Sequence, residues 1–475
     1  MRGEGLLVRL ADHAVADMDV NMRTADDLPS EIPLRQRPGL VAGLLGNRVL
    51  RNILTVVSGT AGAQAVTLAV MPIITRLYGP DAYGALGVFM GLVWMLTPVA
   101  ALTYPMAIVL PRHDDDARTI IRLSMIVALG VTSLAMLVCL TAGPALVDSL
   151  GVQAVDKYLW LLPLVMLAGC ALEVAQQWMI RQQRYGLTAK VAVSHSLLHN
   201  GIRVLGGLLH ATPGMLIVTT GFGPALQAMM LGLAYQRSAS KKPLPTPENP
   251  TERPAPLATI ARRYHDFPLY RAPQMLINAV SQHLPTLVLA SFFGPAAAGF
   301  FALCRQALTM PTQLIGKSVT DVYYPRIVSA IHEQQPITGM LGKAVAGLAL
   351  VGCIPFGTVV VLGPDLFAFV FGSQWYAAGE QARWLAIAEY AVFISRPCTV
   401  AVPALSLQGK FLAFEIVSTT LRVGALMIGA LWLGTALLTV AAFAMASVLI
   451  YTMLVVIVLI ASHRWYARQE IRNTR

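Results

Sequence analysis

Charged and imidazole side chains recur inside long apolar runs, and these are the groups in the chain that could do chemistry. Glu173 and Arg203, with His195, His199 and His210 nearby, fall in the first half. Arg271, His283, Arg305, Lys317, Asp321, Glu389, Arg396, Glu415 and Arg422 fall in the second. A charge at the centre of a bilayer costs about 2.5–3.5 kcal/mol on insertion scales, so each such group must pair, snorkel or face water. Arg271 lies near the end of its run and can snorkel. Lys317 and Asp321 share one helix face and can neutralise each other. Arg203, Arg305, Arg396 and Arg422 have no local partner. Planar guanidinium donors match phosphate oxygens, so these four are the candidate cations of a central water-filled cavity that attracts an anion. Interhelical ion pairing with Glu173, Glu389 and Glu415 is the alternative use of the same groups.

Other chemistry finds little support. The chain has no GxSxG, P-loop or HExxH motif. Asp114, Asp115 and Asp116 form the one acidic cluster, and Arg112 and Arg118 balance it locally. His195 and His199 lie one helical turn apart, but no acid or cysteine sits at ligand spacing, so no metal is assigned. Cys139, Cys170, Cys304, Cys353 and Cys398 all lie in apolar runs and read as small buried hydrophobes. The expectation is a protein that is not an enzyme, with no catalytic residue and no cofactor. The net charge of +11 gathers in short loops, where membrane topology accounts for it, and no nucleic-acid-binding module is visible.

The elements that position these groups follow from composition. Hydrophobic residues make up 56% of the chain and charged residues 12%, and mean hydropathy is +0.63. A soluble domain carries roughly a quarter charged residues. The fold class is therefore all-α, a polytopic membrane protein. Spans of about 20 apolar residues are placed near 53–77, 84–110, 120–142, 158–180, 188–209 and 214–235, and near 268–292, 298–323, 341–362, 380–403, 410–432 and 436–460. Twelve transmembrane helices result, as two six-helix repeats around a central cavity.

One stretch shows the repeat. Thr75–Arg112 ends a helix at Arg76, turns at Gly79-Pro80-Asp81, and starts a second helix carrying Gly84, Gly87 and Gly91. Gly294, Pro295 and Gly299 match Gly79, Pro80 and Gly84, and Tyr324-Pro325 matches Tyr104-Pro105. Arg422 matches Arg203, and the offset stays at about 215 to 220 residues, near half the chain. The glycines predict close helix packing. Pro98, Pro273, Pro285, Pro311, Pro397 and Pro403 predict kinks. Trp375, Tyr376 and Trp384 read as an outer interfacial belt.

Loop charge gives orientation. Arg112, Arg118, Arg122, Arg181, Arg184, Lys190, Arg326, Lys410 and the basic tail alternate with loops holding little beyond Lys157 and Arg383. Both termini are expected in the cytoplasm, with the Gly-Pro turns outside. The organisation reads as a cytoplasmic disordered tail (1–46), an N-terminal six-helix lobe (47–235), a cytoplasmic linker (236–266), a C-terminal lobe (267–461) and a cytoplasmic basic tail (462–475). The first segment lacks the apolar core of a signal peptide, and whether it is translated stays open.

The motifs ITRLYGPDAYGALGVF and TYPMAIVLPRHDDDA, with FFGPAAAGFFAL and VYYPR in the second half, resemble the bacterial polysaccharide/oligosaccharide flippase family. This is the Wzx-like branch of the multidrug/oligosaccharidyl-lipid/polysaccharide exporter superfamily. The resemblance covers residues 50–460. It implies two lobes in a V, a cationic cavity and transfer of an undecaprenyl-pyrophosphate-linked oligosaccharide between leaflets of the bacterial inner membrane by alternating access. It places Arg203 and Arg422 on related helices and offers Glu173 and Glu389 for ion coupling. It also implies a monomer working beside a polysaccharide polymerase and chain-length proteins. Two other readings remain. A cation-coupled multidrug antiporter of the superfamily would want an acid in the first span, where 53–77 has none. A non-transporting polysaccharide-assembly protein would need no cavity.

Overall fold

The computed structural model describes residues 48–241, 256–333, 335–405 and 408–473. The expected tail (1–46) and most of the proline-rich linker lie outside the described residues, as do the side chains of Pro311, Lys317, Asp321 and Pro403. The chain divides into Met1–Arg51 and Asn52–Arg475, and every candidate membrane span among the described residues lies in the second unit.

The described residues are helical, with no strand among them. The first half builds α1 (Arg48–Leu77), α2 (Pro80–Ala100), α3 (Asp114–Leu150), α4 (Leu162–Arg181), α5 (Tyr185–Leu209), α6 (Pro213–Gly221) and α7 (Gly223–Lys241). A short α8 (Leu257–Arg263) leads into the second half. There α9 (Ala272–Phe293), α10 (Pro295–His332), α11 (Ile337–Phe371), α12 (Tyr376–Ala404), α13 (Gln408–Trp432) and α14 (Ala436–Asn473) follow. With α6 and α7 as two pieces of one span, each of the twelve expected spans has its helix. Ten of the described segments are long and apolar enough to cross a membrane. The other two spans are α5 and α10, which are long but interrupted by polar residues such as Lys190, Asn200 and Arg203 on α5 and Arg305 on α10.

The second span is not the single helix 84–110 that hydropathy suggests. Pro98 sits in the last turn of α2, which ends at Ala100. Leu102 and Thr103 then take φ of 49° and 57°, and a 3₁₀ turn runs over Tyr104–Val109. Proline removes one ladder hydrogen bond and crowds the preceding turn, so the helix stops here. The far end of this 3₁₀ turn leaves carbonyls that need donors. Arg181 supplies them, donating to Ile108 O at 3.1 Å and Pro111 O at 2.7 Å while its Nε meets Asp114 at 2.8 Å. Arg118 faces Asp115 at 3.2 Å, and Arg263 on α8 reaches Asp116 at 3.9 Å. The acidic cluster is thus charge-balanced, partly by α8 folding back onto α3. Pro273 stands in the first turn of α9, just after a π-helical turn at Phe267–Arg271. Pro285 lies inside α9, and α10 stays helical through position 311.

Between the halves, α2 packs against α9 and α10. A Cβ on Gly84 would collide with the Pro295 carbonyl, and a Cβ on Gly299 would collide with the Pro80 carbonyl and stand 2.9 Å from Gly84 N. The contact is reciprocal, with each repeat's motif seated on the other's. The two turns differ in backbone: Gly79 is extended, whereas Gly294 has φ of 84°, a conformation that favours glycine. Trp375 is not part of an interfacial belt. It is fully buried, its Nε1 donates to Thr75 O at 2.9 Å, and its ring meets Tyr83 at 5.5 Å and Phe300 at 5.9 Å, both edge-on. Tyr376 beside it is half-exposed. Gln374 Nε2 donates to the same Thr75 carbonyl at 2.8 Å, and Arg76 donates to Phe369 O at 2.7 Å. The Gly-Pro end of the molecule is closed by these contacts.

Replacing Gly84 or Gly299 with leucine is expected to destabilise the protein by about 1–3 kcal/mol or more, since neither facing backbone can withdraw. Gly130 on α3 has nothing within 4 Å of its Cβ position. Gly130→Ala is therefore expected to be neutral or to stabilise by up to about 1 kcal/mol. Thermal unfolding of the three variants in one detergent checks both signs.

Candidate functional site

A cavity of about 850 Å³ lies between the halves. Its lining nearest the Gly-Pro end is Gly87 on α2 and Phe301 on α10, just beyond the glycines of the crossing. From there it extends toward the opposite end along α10, α12, α13 and α14. Three of the four arginines singled out from sequence line it, namely Arg305, Arg396 and Arg422. Glu389 and Glu415 line it too, as does His283. Three guanidiniums therefore face two carboxylates.

Helix geometry sets their depths. Arg305 lies ten residues past Pro295, and Arg422 ten residues before Trp432. At 1.5 Å per residue both stand about 15 Å from the closed end, near the middle of a hydrocarbon core about 30 Å thick. Arg396, twenty residues past Tyr376, stands about 30 Å along, toward the other end. The cations form a ladder down the cavity.

Arg305 and Arg422 are held by neutral groups. Arg305 donates to the Gln282 carbonyl and to Gln282 Oε1 on α9. Arg422 Nε donates to Ser418 O at 3.4 Å, and its guanidinium stands 5.8 Å from the centre of the Tyr451 ring. Arg396 crosses Gly316, and its buried Nε has no hydrogen-bond partner among the described residues. Glu389 lies within electrostatic reach of both Arg305 and Arg396. Arginines held open by carbonyls and a ring keep unused donors for an incoming anion.

Arg203 and Glu173 stand elsewhere, for neither lines the cavity. Arg203 is only 7% exposed inside the N-terminal half. The Tyr78 hydroxyl donates to its carbonyl at 3.1 Å, Tyr83 lies within electrostatic reach of its guanidinium, and its Nε is unpartnered among the described residues. Around it α5 is tied to α1 by hydroxyls and amides. Ser196 donates to Ala63 O at 2.8 Å, and Asn200 Nδ2 meets Thr67 at 3.3 Å. His195 and His199 stack at 5.2 Å and bond Gly223 O and Thr219 O, each at 3.0 Å. These imidazoles tie α5 to the broken sixth span. Glu173 is half-buried on α4 beside Cys170. Gly79, Pro80, Gly294 and Pro295 form the closed end described above.

Sequence reading did not single out Gln282, Trp94 or Tyr451. Their one advance signal was a polar or aromatic residue in an apolar run, which many core positions share.

A model of the polysaccharide biosynthesis protein family matches residues 73–380, more than half of the chain. The chain belongs to that family. It is 22% identical over 357 residues to the succinoglycan biosynthesis transport protein ExoT of Rhizobium meliloti (strain 1021), a match covering 73% of this chain and 66% of the relative. The fold is that of known transporters. An inward-facing multidrug-resistance MATE transporter superposes with a TM-score of 0.63 at 14% identity, covering 86% of this chain and 95% of that one. The lipid II flippase MurJ in an inward closed conformation gives 0.61 at 13% identity, covering 85% and 86%. A transporter from Pyrococcus furiosus, described as having a binding pocket of reversed polarity, gives 0.59 at 13%, covering 91% and 99%. This family member is thus a multi-pass helical membrane protein with a transporter fold.

Inorganic pyrophosphate is expected to raise the unfolding temperature of the purified protein, by about 2.7 kcal/mol of stability at a hundredfold excess over Kd. Arg305→Ala and Arg422→Ala should lose that protection, whereas Arg203→Lys, outside the cavity, should keep it.

Proposed function

We propose that the chain carries an undecaprenyl-pyrophosphate-linked oligosaccharide from the inner to the outer leaflet of a bacterial inner membrane, for polysaccharide synthesis, by alternating access. The observation that carries this reading is the ladder of Arg396, Arg305 and Arg422 in a cavity closed at its Gly-Pro end. A pyrophosphate cannot cross about 30 Å of hydrocarbon unaided. Guanidiniums bind its oxygens two at a time, and two repeats rocking against each other can expose the site to either side. The loop charges support an orientation with both termini in the cytoplasm and the Gly-Pro turns outside. In that orientation the described state faces the cytoplasm, where Arg396 meets the head group first and Arg305 and Arg422 receive it at mid-depth. The lipid tail stays in the bilayer throughout. Glu389, beside two of these arginines, is the acid placed to couple an ion to the cycle. The transport role named for the succinoglycan relative supports the same substrate class.

The cation-coupled antiporter reading is disfavoured by two features. The α1 helix carries no acid, and the buried charge beside it is Arg203, which would repel a cation.

In proteoliposomes holding a fluorescent undecaprenyl-pyrophosphate oligosaccharide, the protein should make the label accessible to a quencher on the far side. Arg305→Ala and Arg422→Ala should each slow this about 10- to 100-fold, as expected for a charge-assisted bond of about 1.5–3 kcal/mol. Wild-type rates in both correctly inserted variants would remove the arginines from the mechanism.

A further inference from the structure

The two walls of the cavity differ in kind. Among the described residues, all of its charges come from the C-terminal half, on α10, α12 and α13. The N-terminal wall gives Gln64 from α1 and Gly87, Met90, Gly91 and Trp94 from α2, with no charge among them. Trp94 is half-exposed although indole is among the largest apolar groups, and it borders the cavity. One turn before it, the buried Gly91 adds no side chain to the wall, and a Cβ there would touch only His283, at 3.7 Å. An exposed indole beside an open stretch of wall and a side-chain amide offers no positive charge to an anion. It suits a pyranose ring, which offers a C–H face to an aromatic plane and hydroxyls to amides at its rim.

We infer that Trp94, with Gln64 and the space left by Gly91, forms a saccharide subsite on the N-terminal wall, separate from the pyrophosphate cations opposite. This rests on the export reading above and adds to it a division of labour. The head group is held by the C-terminal half and the sugars lean on the N-terminal half. A glycan-bearing ligand therefore spans the cavity and contacts both halves, and a bare pyrophosphate contacts one. The subsite recognises the ring face, so it accepts hexopyranoses as a class.

The test is equilibrium binding to the full chain in lipid nanodiscs. Two probes are used, undecaprenyl pyrophosphate and undecaprenyl pyrophosphate carrying a glucose-based tetrasaccharide. Wild-type protein should bind the glycosylated probe several-fold more tightly. Trp94→Ala and Trp94→Leu should remove about 2- to 10-fold of that preference, in keeping with aromatic stacking, and leave affinity for the bare probe unchanged. Trp94→Phe, which keeps an aromatic face, should retain most of it. Equal binding of both probes by wild type, or an undiminished preference in Trp94→Ala and Trp94→Leu, would overturn the subsite while leaving the export reading intact. Failure of wild type to bind either probe would overturn the export reading and the subsite together.

Discussion

The structure depends on one close approach between two helix backbones. At Gly84 and Gly299 a side chain on either helix would strike the other's peptide. That contact brings α2 against α10 and fixes how the halves meet. Small residues matter here because lipid supplies no hydrophobic push between helices, so close backbone packing must hold them together. Trp375 completes the junction with a buried indole bonded to Thr75 and flanked by Tyr83 and Phe300. With this end closed, the halves leave a space between them toward the other end, and the cavity occupies it. The contact is reciprocal, each repeat's glycine receiving the other's backbone.

The electrostatics follow from that geometry. Guanidiniums at mid-depth would be intolerable against lipid. Inside the cavity they are tolerated because Gln282, Ser418 and Tyr451 hold them and because water or an anion can reach them. Among the described residues the lining carboxylates, Glu389 and Glu415, are too few to neutralise all three. Arg203 solves the same problem differently, by burial beside two tyrosines. Two arginines that match in the repeat have thus diverged in use: one faces the cavity, and one sits inside its half.

Much of the fold is legible in the sequence. Runs of apolar residues locate the spans, and the repeated Gly-Pro motifs give both the pseudo-symmetry and the crossing, because glycine spacing along a helix marks a face directly. What hydropathy does not supply is direction around each helix. Arg203 and Arg422 hold equivalent positions in sequence, but only the packing of the neighbouring helices decides which one meets the cavity. Trp375 escapes sequence reading for a related reason. A tryptophan near a loop in a membrane protein usually marks the interface, and nothing local reveals that a partner carbonyl 300 residues earlier awaits its N–H. The break after Pro98 is visible as a proline, but the 3₁₀ turn that follows it is not, and its far end is held by Arg181, far away in sequence.

Alternating access requires the Gly-Pro end, closed in this state, to open during transport. The most direct measurement is the distance between spin labels at Asp81 and Glu380, both exposed and on opposite halves at that end, in protein freed of its other cysteines and reconstituted in lipid. The account predicts one short distance without ligand and a second, longer population once a lipid-linked pyrophosphate glycan is supplied. A single short distance under turnover, in protein that still moves the glycan, would contradict it.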